Sequence, residues 1–347
     1  MGNKLKKITD INSILLVNLG GIGDILLSIP ALRALRGFYK KSTITLLTTP
    51  RSVDLMKDYP YIDKIILFNP GLWQKLKLVF ILSRLHFDLA INMRSLTSYL
   101  SSLKMASLFL LAGATYRVGR DTNARGFFLN EKIPEDDIAQ MHDIDYYFEI
   151  FKVLGVEGEG RNIDLKVNHE DAKFIDRFLL DNDVGQNDIL IGINPGGTWP
   201  TRRWPIENFV KLIELLRKEK DFKIIITGGK KELDLAIKLV SLSKVGIINA
   251  TNKTNVGQLM ALIKRCNVFI SNDAGPMHLA AALATPLIAL FGPGDITRYD
   301  PRRISEKAVV FYNKVDCAPC FKVRCSSMNC FSSLRPEEIS KAALKLV

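Results

Sequence analysis

The sequence lacks the signatures of several common protein classes. No run of apolar residues approaches the roughly 20 that a membrane-spanning helix needs. Only 4 histidines are present, and there is no H-E-x-x-H motif, zinc-finger pair or G-x-x-x-x-G-K-[ST] phosphate loop. The G-x-G-x-x-G dinucleotide pattern also fails, because Leu26 stands where its third glycine would come. These absences argue against a membrane-spanning protein, a histidine-based metal site, a Walker-type nucleotide site and a nicotinamide enzyme.

The chain carries a large excess of positive charge. The chain has 347 residues, enough for two ordinary domains, and its formal net charge is +12 with a pI of about 9.4. Such a balance favours an anionic partner, although a merely solvated basic surface is an alternative. The basic residues are scattered, and there is no RNP-type aromatic motif or Arg-rich arm, so nucleic acid is the weakest candidate. We expect a cytoplasmic protein that binds phosphorylated substrates and touches an anionic membrane surface without crossing it.

Short apolar segments alternate with helical patterns in both halves of the chain. A buried strand is predicted at 14–18, followed by a Gly-Gly loop and a helix, and the same order recurs from the strand at 189–194. Between the halves lies a glycine-rich linker at 155–161, and 116–134 reads as a polar segment bearing Gly and Arg. Continuous apolar strands separated by helices indicate parallel sheets covered on both faces.

This pattern predicts an α/β protein with two Rossmann-like, doubly wound domains. We expect an N-terminal domain at 1–160, a C-terminal domain at 161–333, and a final helix at 334–347 that packs back on the first domain. Ligands of such sheets bind outside the carboxyl ends of the strands, and the Gly-rich loops of both halves lie there.

The stretch from Ser271 to His278 joins a predicted strand to an Ala-rich helix. The backbone N–H groups at a helix N-terminus attract phosphate. His278 could donate to a phosphate oxygen, while Asp273, just before the turn, could accept from sugar hydroxyls. The alternative is an Asp that caps the helix beside a turn glycine, with no ligand.

Three further positions suggest chemistry. Asp24 follows the first Gly-Gly loop and is either a helix cap or a carboxylate that takes a proton from an incoming hydroxyl. Thr198 and Arg202 belong to the loop after the strand at 189–194, and both side chains are good hydrogen-bond donors to phosphate. The alternative is that this segment is an ordinary surface loop with no ligand. Glu232 either holds ribose hydroxyls or starts the next helix.

The sequence contains candidates for two kinds of metal site. Four cysteines have a spacing that suits a tetrahedral thiolate site for structural zinc: Cys317, Cys320, Cys325 and Cys330. A thiol-rich turn without metal and partial disulfides are the alternatives. Two D-x-D triplets, at 143–145 and 181–183, lie in amphipathic helix patterns and are interpreted as solvated faces.

Three motifs together resemble the ADP-heptose:lipopolysaccharide heptosyltransferases. The first is Gly-Gly-Ile-Gly-Asp-Ile-Leu-Leu-Ser-Ile-Pro at 20–30, and the others are Pro-Gly-Gly-Thr-Trp-Pro-Thr-Arg-Arg-Trp-Pro at 195–205 and Ser-Asn-Asp-Ala-Gly-Pro-Met-His at 271–278. They occur in the family's order and span nearly the whole chain. The resemblance implies a GT-B fold, in which two Rossmann-like domains face a central cleft.

The resemblance also implies roles for individual residues. Asp24 would be the catalytic base of an inverting, metal-independent transfer. Donor binding would fall to Thr198, Arg202, Glu232, Asp273, Gly275, Met277 and His278. The cysteine cluster lies outside the motifs and receives no role from them.

The expected reaction moves heptose from ADP-L-glycero-D-manno-heptose to an inner-core lipopolysaccharide acceptor. The phosphates and carboxylates of a lipid A–core acceptor could be met by Arg117, Arg120 and Arg125. The alternatives are a GT-B transferase or epimerase acting on another nucleotide sugar, and a non-catalytic nucleotide-binding module.

Overall fold

The computed structural model describes residues 11–57, 59–69, 71–136, 139–158 and 160–347. The first ten residues, which belong to the predicted N-terminal domain, lie outside the described ranges. The chain divides into two compact units between Arg161 and Asn162.

The first unit alternates strands and helices along the chain. Its strands are Ser13–Asn18 (β1), Thr43–Thr48 (β2), Lys64–Leu67 (β3), Leu89–Asn92 (β4), Tyr116–Thr122 (β5) and Glu131–Glu135 (β6). Its helices are Ile22–Phe38 (α1), Pro50–Met56 (α2), Leu72–Arg84 (α3), Tyr99–Leu111 (α4) and Asp143–Lys152 (α5).

The six strands form one parallel sheet in the order β3-β2-β1-β4-β5-β6. Ile14 through Val17 of β1 are completely buried, as expected for a central strand with both faces covered. One core cluster packs Leu15 and Val17 of this strand with Leu78 and Leu82 of α3 and Phe109 of α4. In this order β1 and β4 are neighbours. The strands that follow β1 in sequence, β2 and β3, extend the sheet to one edge, and those that follow β4, β5 and β6, extend it to the other.

The segment 116–134, interpreted from the sequence only as a polar stretch bearing Gly and Arg, contributes β5 and most of β6. The reason is local charge compensation. Arg120 points into the interior of the unit with only 1% of its surface exposed, and its Nη1 lies 3.0 Å from Glu135 Oε1 and 3.0 Å from Asp143 Oδ1. A charged residue can therefore occupy a buried strand position, which the composition of the segment alone does not indicate.

The second unit repeats the architecture of the first. Its strands are Leu190–Asn194 (β7), Lys223–Ile226 (β8), Ile248–Asn249 (β9), Val268–Asn272 (β10), Leu287–Phe291 (β11) and Ala308–Tyr312 (β12). Its helices are His169–Leu180 (α6), Ile206–Glu219 (α7), Leu233–Leu242 (α8), Val256–Arg265 (α9), Gly275–Ala282 (α10), Ile296–Tyr299 (α11) and Pro336–Leu346 (α12).

The strands of this unit also form a parallel sheet, in the order β12-β11-β10-β7-β8-β9. Read from the opposite edge, the order is β9-β8-β7-β10-β11-β12. If β7 is counted as the first strand of its unit, this order is identical to that of the first unit. Both units therefore have the doubly wound Rossmann order that the alternating pattern predicted. The two central strands where the order reverses are β7 and β10.

The terminal helix α12 belongs to the second unit and packs against α7. Ile339 and Ala343 are completely buried in the same core cluster as Phe209 and Leu212 of α7. This corrects the expectation that the tail packs back on the first domain: its apolar stripe completes the core beside α7. In the part of the chain that is described, no helix has the length and apolar character required to cross a membrane.

Candidate active site

In the first unit the candidate residues lie where the strand order reverses. Asp24 follows β1 and Arg94 follows β4, and these two strands are neighbours that the chain leaves in opposite directions. Parallel doubly wound sheets bind ligands at this point, outside the carboxyl ends of the strands. The fold thus places a carboxylate and a guanidinium at the ligand-binding edge of the sheet.

Asp24 lies inside the first turn of α1, which begins at Ile22, three residues before the predicted start. Its Oδ2 accepts from the backbone N–H of Gly21 at 2.8 Å and lies 3.3 Å from Nη1 of Arg94. The side chain keeps 21% of its surface exposed. Asp24 therefore caps its helix and also remains accessible, so the two interpretations of this residue are compatible.

The approach of Arg94 to Asp24 depends on a glycine. A Cβ placed on Gly20 would lie 2.5 Å from Nη1 of Arg94 and 2.5 Å from Cβ of Asp24, distances that real side chains do not adopt. The loop is held by Asn18, whose Oδ1 accepts from the N–H of Gly20 at 3.1 Å and whose Nδ2 donates to the carbonyl of Asp24 at 3.3 Å. An asparagine at the end of β1 thus sets the position of the candidate base.

Arg94 was missed by the sequence analysis. Its backbone is fixed by Asn92, the last residue of β4, whose Nδ2 donates to the carbonyl of Arg94 at 2.7 Å and whose Oδ1 accepts from its N–H at 3.2 Å. The available signal was the sequence Asn-Met-Arg at 92–94, which begins at the last residue of a buried strand.

A buried ionic cluster lies behind this site in the same unit. Arg120 sits between Glu135 and Asp143, and its guanidinium lies 4.7 Å and 4.9 Å from the ring centroids of Tyr146 and Tyr147. Burial opposes the charge of Arg120, but the carboxylates of Asp143 and Glu135 raise its pKa, so it stays a cation. Arg120 is therefore a structural cation and not the acceptor-binding residue that was expected.

One member of the cluster, Tyr147, also contacts the candidate base. The Tyr147 hydroxyl donates to the backbone carbonyl of Asp24 at 3.1 Å. Burial, followed by the Asp143 carboxylate, raises the pKa of Tyr147 well above its ordinary value, so the phenol keeps its proton. Because Asp143 is buried, it is not part of a solvated face, which corrects one of the two D-x-D interpretations.

The other two expected acceptor-binding residues are only partly buried. Nε of Arg117 donates to Asn130 Oδ1 at 3.3 Å, and Nη1 of Arg125 donates to the carbonyl of Leu96 at 2.8 Å. Their role toward an acceptor stays a prediction.

In the second unit the corresponding reversal point lies between β7 and β10. The loop 195–204 follows β7, and the turn 273–274 follows β10. Asn272, the last residue of β10, joins the two: its Nδ2 donates to the carbonyls of Pro195 and Gly196 at 2.9 and 3.1 Å, and its Oδ1 accepts from the N–H of Trp204 at 3.1 Å. Asn272 is a positioning residue that sequence reasoning did not single out.

Arg202 and Asp273, predicted separately as phosphate and sugar ligands, form an ion pair. Nη1 of Arg202 lies 3.0 Å from Asp273 Oδ2, and the side chains retain 16% and 6% of their surface. A Cβ on Gly294 would lie only 2.0 Å from that same oxygen, so the pair needs a glycine beside it. The structure thus brings a cation and a carboxylate together in front of helix α10.

The first turn of α10 is exposed unevenly. Gly275 is partly exposed, whereas the Met277 side chain is completely buried and its N–H donates to the carbonyl of Ala274 at 3.0 Å. His278 retains 4% of its surface, and its ring centroid lies 6.0 Å from that of Tyr299. The structure therefore favours Gly275 among these three as a direct ligand contact.

Thr198 is exposed at the tip of the loop that follows β7. Glu232 Oε2 accepts from the N–H of Gly229 at 2.9 Å, and Oε1 lies 3.9 Å from Nη2 of Arg203. One oxygen of Glu232 thus caps the N-terminus of the short helix Lys230–Glu232. The other faces a loop of the candidate donor site.

A family model described as glycosyltransferase family 9 (heptosyltransferase) matches residues 76–330, well over half of the chain. The chain belongs to glycosyltransferase family 9. The predicted resemblance is thereby confirmed, and the protein is a glycosyltransferase. The matched region includes Arg94, Arg202 and Asp273, whereas Asp24 precedes it.

Relatives of this family 9 chain match it over most of its length. Lipooligosaccharide heptosyltransferase 2 of Campylobacter jejuni is 27% identical over 334 residues, covering 94% of this chain and 95% of the relative. Lipopolysaccharide heptosyltransferase 2 of Escherichia coli K12 is 24% identical over 325 residues, covering 87% and 90%.

A solved family 9 structure from Veillonella parvula superposes with a TM-score of 0.79 at 24% identity, covering 96% of this chain and 97% of the other. At this identity the likeness concerns the fold, and it confirms the predicted fold class of two doubly wound domains.

The four clustered cysteines of this family 9 chain are not arranged as the expected tetrahedral site. Cys330 is buried in the core of the second unit, while Cys317 and Cys325 are exposed. Among the described residues, no group of three or more His, Cys, Asp and Glu side chains is placed to hold a metal ion. Burial raises the pKa of Cys330, whereas a hydrogen bond from the backbone of Met328 lowers the pKa of Cys325. The four thiols therefore do not share one environment.

Proposed function

We propose that this protein transfers heptose from ADP-L-glycero-D-manno-heptose to an inner-core lipopolysaccharide acceptor. Membership of family 9 supports heptose as the donor sugar, and the two relatives named above are heptosyltransferases of lipooligosaccharide and lipopolysaccharide. The observation that carries the proposal is Asp24, an accessible carboxylate held beside Arg94 at the reversal point of a Rossmann-type sheet.

In the proposed reaction Asp24 is the general base. Its carboxylate takes the proton of an acceptor hydroxyl while that oxygen forms a bond to the anomeric carbon of heptose. The bond between the anomeric carbon and the diphosphate oxygen breaks, and ADP leaves with the bonding electrons. A single displacement inverts the anomeric configuration and needs no covalent intermediate.

The donor diphosphate is assigned to the second unit. Arg202 is held there by Asp273, and the N-terminus of α10 presents the exposed backbone of Gly275. Guanidinium groups and helix N-termini both stabilise phosphate charge, and they do so most strongly as the leaving group becomes more negative. Thr198 and Glu232 are assigned to the remaining parts of ADP, and Asp273 to the sugar hydroxyls.

The acceptor is assigned to the first unit. Arg94 lies beside the base and would bind an acceptor phosphate or carboxylate close to the reacting hydroxyl, with Arg117 and Arg125 as further cationic contacts. The natural acceptor is lipid-linked, so the reaction is expected at the cytoplasmic face of the membrane, in peripheral contact with anionic lipids.

Mass spectrometry tests the proposal directly. The protein is incubated with ADP-heptose and a panel of truncated lipopolysaccharides, and one acceptor is expected to gain a single heptose. Proton NMR of the product should show the anomeric configuration opposite to that of the donor. Donor consumption without any glycosylated acceptor would favour an epimerase or a transferase for another sugar. Donor binding with no turnover would indicate a non-catalytic module.

A further inference from the structure

Helix α3 has an apolar face that the fold leaves uncovered. Among its thirteen residues only Leu78 and Leu82 are buried. The exposed apolar side chains recur at helical spacing and lie on one side of the helix: Leu72, Trp73, Leu76, Val79 and Phe80. Trp73 retains 80% of its surface, an unusual exposure for the largest apolar side chain.

Helix α4, which packs against α3, has the same property. It buries Met105 and Phe109 toward the core but exposes four further apolar or aromatic residues, namely Tyr99, Leu100, Leu103 and Leu110. Because the two helices are neighbours, these side chains and those of α3 belong to one region of the first unit, here termed the α3–α4 surface. A cluster of exposed apolar side chains of this size marks an interaction site.

The charges on these helices all have the same sign. Lys75, Lys77 and Arg84 lie on α3 and Lys104 lies on α4, and neither helix contains an Asp or Glu. The Arg84 guanidinium stacks over the Phe80 ring at 4.0 Å, so this cation lies within the apolar region itself. Cations interleaved with Trp, Phe and Leu are the chemistry by which amphipathic helices bind anionic lipid surfaces.

We propose that the α3–α4 surface docks on an anionic phospholipid bilayer. Each helix has 13 residues, about 20 Å in length, which is too short to cross a membrane but suits a helix lying in the interfacial plane. A second copy of the chain is a poorer occupant, because a symmetric contact would bring the same cations together without carboxylates to neutralise them.

This docking surface rests on the proposed function, because membrane binding serves an enzyme whose acceptor is lipid-linked. A lipid-linked acceptor is embedded in the bilayer, and the α3–α4 surface belongs to the unit that carries Asp24 and Arg94. Docking would concentrate the enzyme in the plane that contains its acceptor.

Vesicle binding tests the surface without measuring activity. The full-length protein is mixed with vesicles of phosphatidylcholine alone, or of phosphatidylcholine with phosphatidylglycerol, and bound protein is measured by flotation. Binding is expected only with the anionic vesicles, and it should weaken with salt. Brominated lipids should quench fluorescence in the parent protein, and this quenching should be lost in Trp73→Phe, since Trp204 is buried and Trp199 lies in the loop 195–204 of the second unit, outside the proposed surface.

Matched variants separate the surface from general properties of the chain. The triple variant Trp73→Ser, Phe80→Ser and Leu103→Ser should bind anionic vesicles at least about tenfold more weakly, because each substitution removes apolar surface that the bilayer would otherwise bury. The control is Phe174→Ser, Leu180→Ser and Ile237→Ser, three exposed apolar positions in the second unit. Lys75→Glu with Lys77→Glu is compared with Lys218→Glu and Lys238→Glu, which change the net charge equally.

Several outcomes would overturn the proposal. These are absence of binding to anionic vesicles, equal losses in test and control variants, and a dimer in analytical ultracentrifugation that the triple variant dissociates while vesicles go unbound. Heptose transfer to a deacylated, water-soluble acceptor is measured in the same preparations. Transfer without vesicle binding rejects only the membrane surface, and vesicle binding without transfer rejects only the proposed function.

Discussion

At the scale of single residues, Asp24 combines a capping bond with an accessible carboxylate, and one substitution separates these functions. Asp24→Asn keeps an oxygen for the N–H of Gly21, and amide side chains make this bond at the third helical position of a capping box as carboxylates do. The lost pairing with Arg94 is partly solvent-exposed and contributes little to stability. The amide cannot accept a proton at neutral pH, so we expect kcat to fall by about 10²–10⁴ while the melting temperature is nearly unchanged.

The measurement is single-turnover kinetics with saturating ADP-heptose, together with calorimetric titration of the donor. Donor affinity should hold, because the assigned donor contacts belong to the second unit. Asp54→Asn, on helix α2 of the same unit, is the control and should behave as the parent protein. A kcat for Asp24→Asn within about threefold of the parent, with chemistry rate-limiting, would remove this residue from the mechanism.

Asp273 offers a second residue-scale prediction, sharpened by its ion pair with Arg202. Asp273→Ala removes the assigned acceptor of sugar hydroxyls, so ADP-heptose binding should weaken by about 1.5–3 kcal/mol. The same change releases Arg202 from its 3.0 Å partner, so binding of ADP alone should hold or tighten. Calorimetry with both ligands, using Asp234→Ala on helix α8 as the control, measures the difference. Equal losses for ADP and ADP-heptose would reject the sugar-binding role.

At the scale of elements, β5, β6 and α5 are held together by Arg120, Glu135 and Asp143. Arg120→Met leaves two buried carboxylates without their cation, and breaking such a pair costs about 3–5 kcal/mol. We expect a corresponding loss in the free energy of unfolding, measured by urea titration with circular dichroism. Adding Glu135→Gln and Asp143→Asn should recover much of it, because the unpaired charges are then gone.

Arg117→Met is the matched control, since this arginine lies on the same strand and is only partly buried. Its stability should change by less than about 1 kcal/mol. If Arg120 were instead an acceptor ligand, Arg120→Met would keep its stability and raise only the KM for acceptor. That result would contradict the structural role assigned here.

The same elements show how far the sequence predicts the fold. The strands β1 and β7 were predicted because each is a short, nearly continuous apolar run that leads into a Gly-rich loop. β5 and β6 were not, because their buried positions include Arg120 and Glu135, whose compensation depends on α5 later in the chain. The partners of the terminal helix α12 were likewise invisible, since an amphipathic pattern shows that a helix packs but not on what.

At the scale of the whole molecule, the first strand of each sheet is followed by a Gly-Gly loop and a helix, and the two sheets have the same strand order. The repeated pattern predicted where the candidate residues lie, because ligand sites follow the central strands of doubly wound sheets. It could not predict the pairings of Asp24 with Arg94 or Arg202 with Asp273, which depend on adjacency of strands distant in sequence. The asparagines that end β1, β4 and β10 were overlooked for the same reason.

The distribution of charge over the whole chain leads to the last prediction, that turnover needs no divalent metal. The net charge is +12, and the assigned donor site carries Arg202, Arg203 and the N-terminus of α10, which can together neutralise a leaving diphosphate. Of the D-x-D triplets, Asp143 is committed to Arg120, and Asp181 and Asp183 lie exposed at the end of α6. Initial rates with EDTA should therefore equal those without it, and added Mg²⁺ or Mn²⁺ should change neither kcat nor the KM for ADP-heptose. A rapid loss of activity in chelator that either ion restores would show that the cationic side chains are insufficient and that a metal carries part of the leaving-group charge.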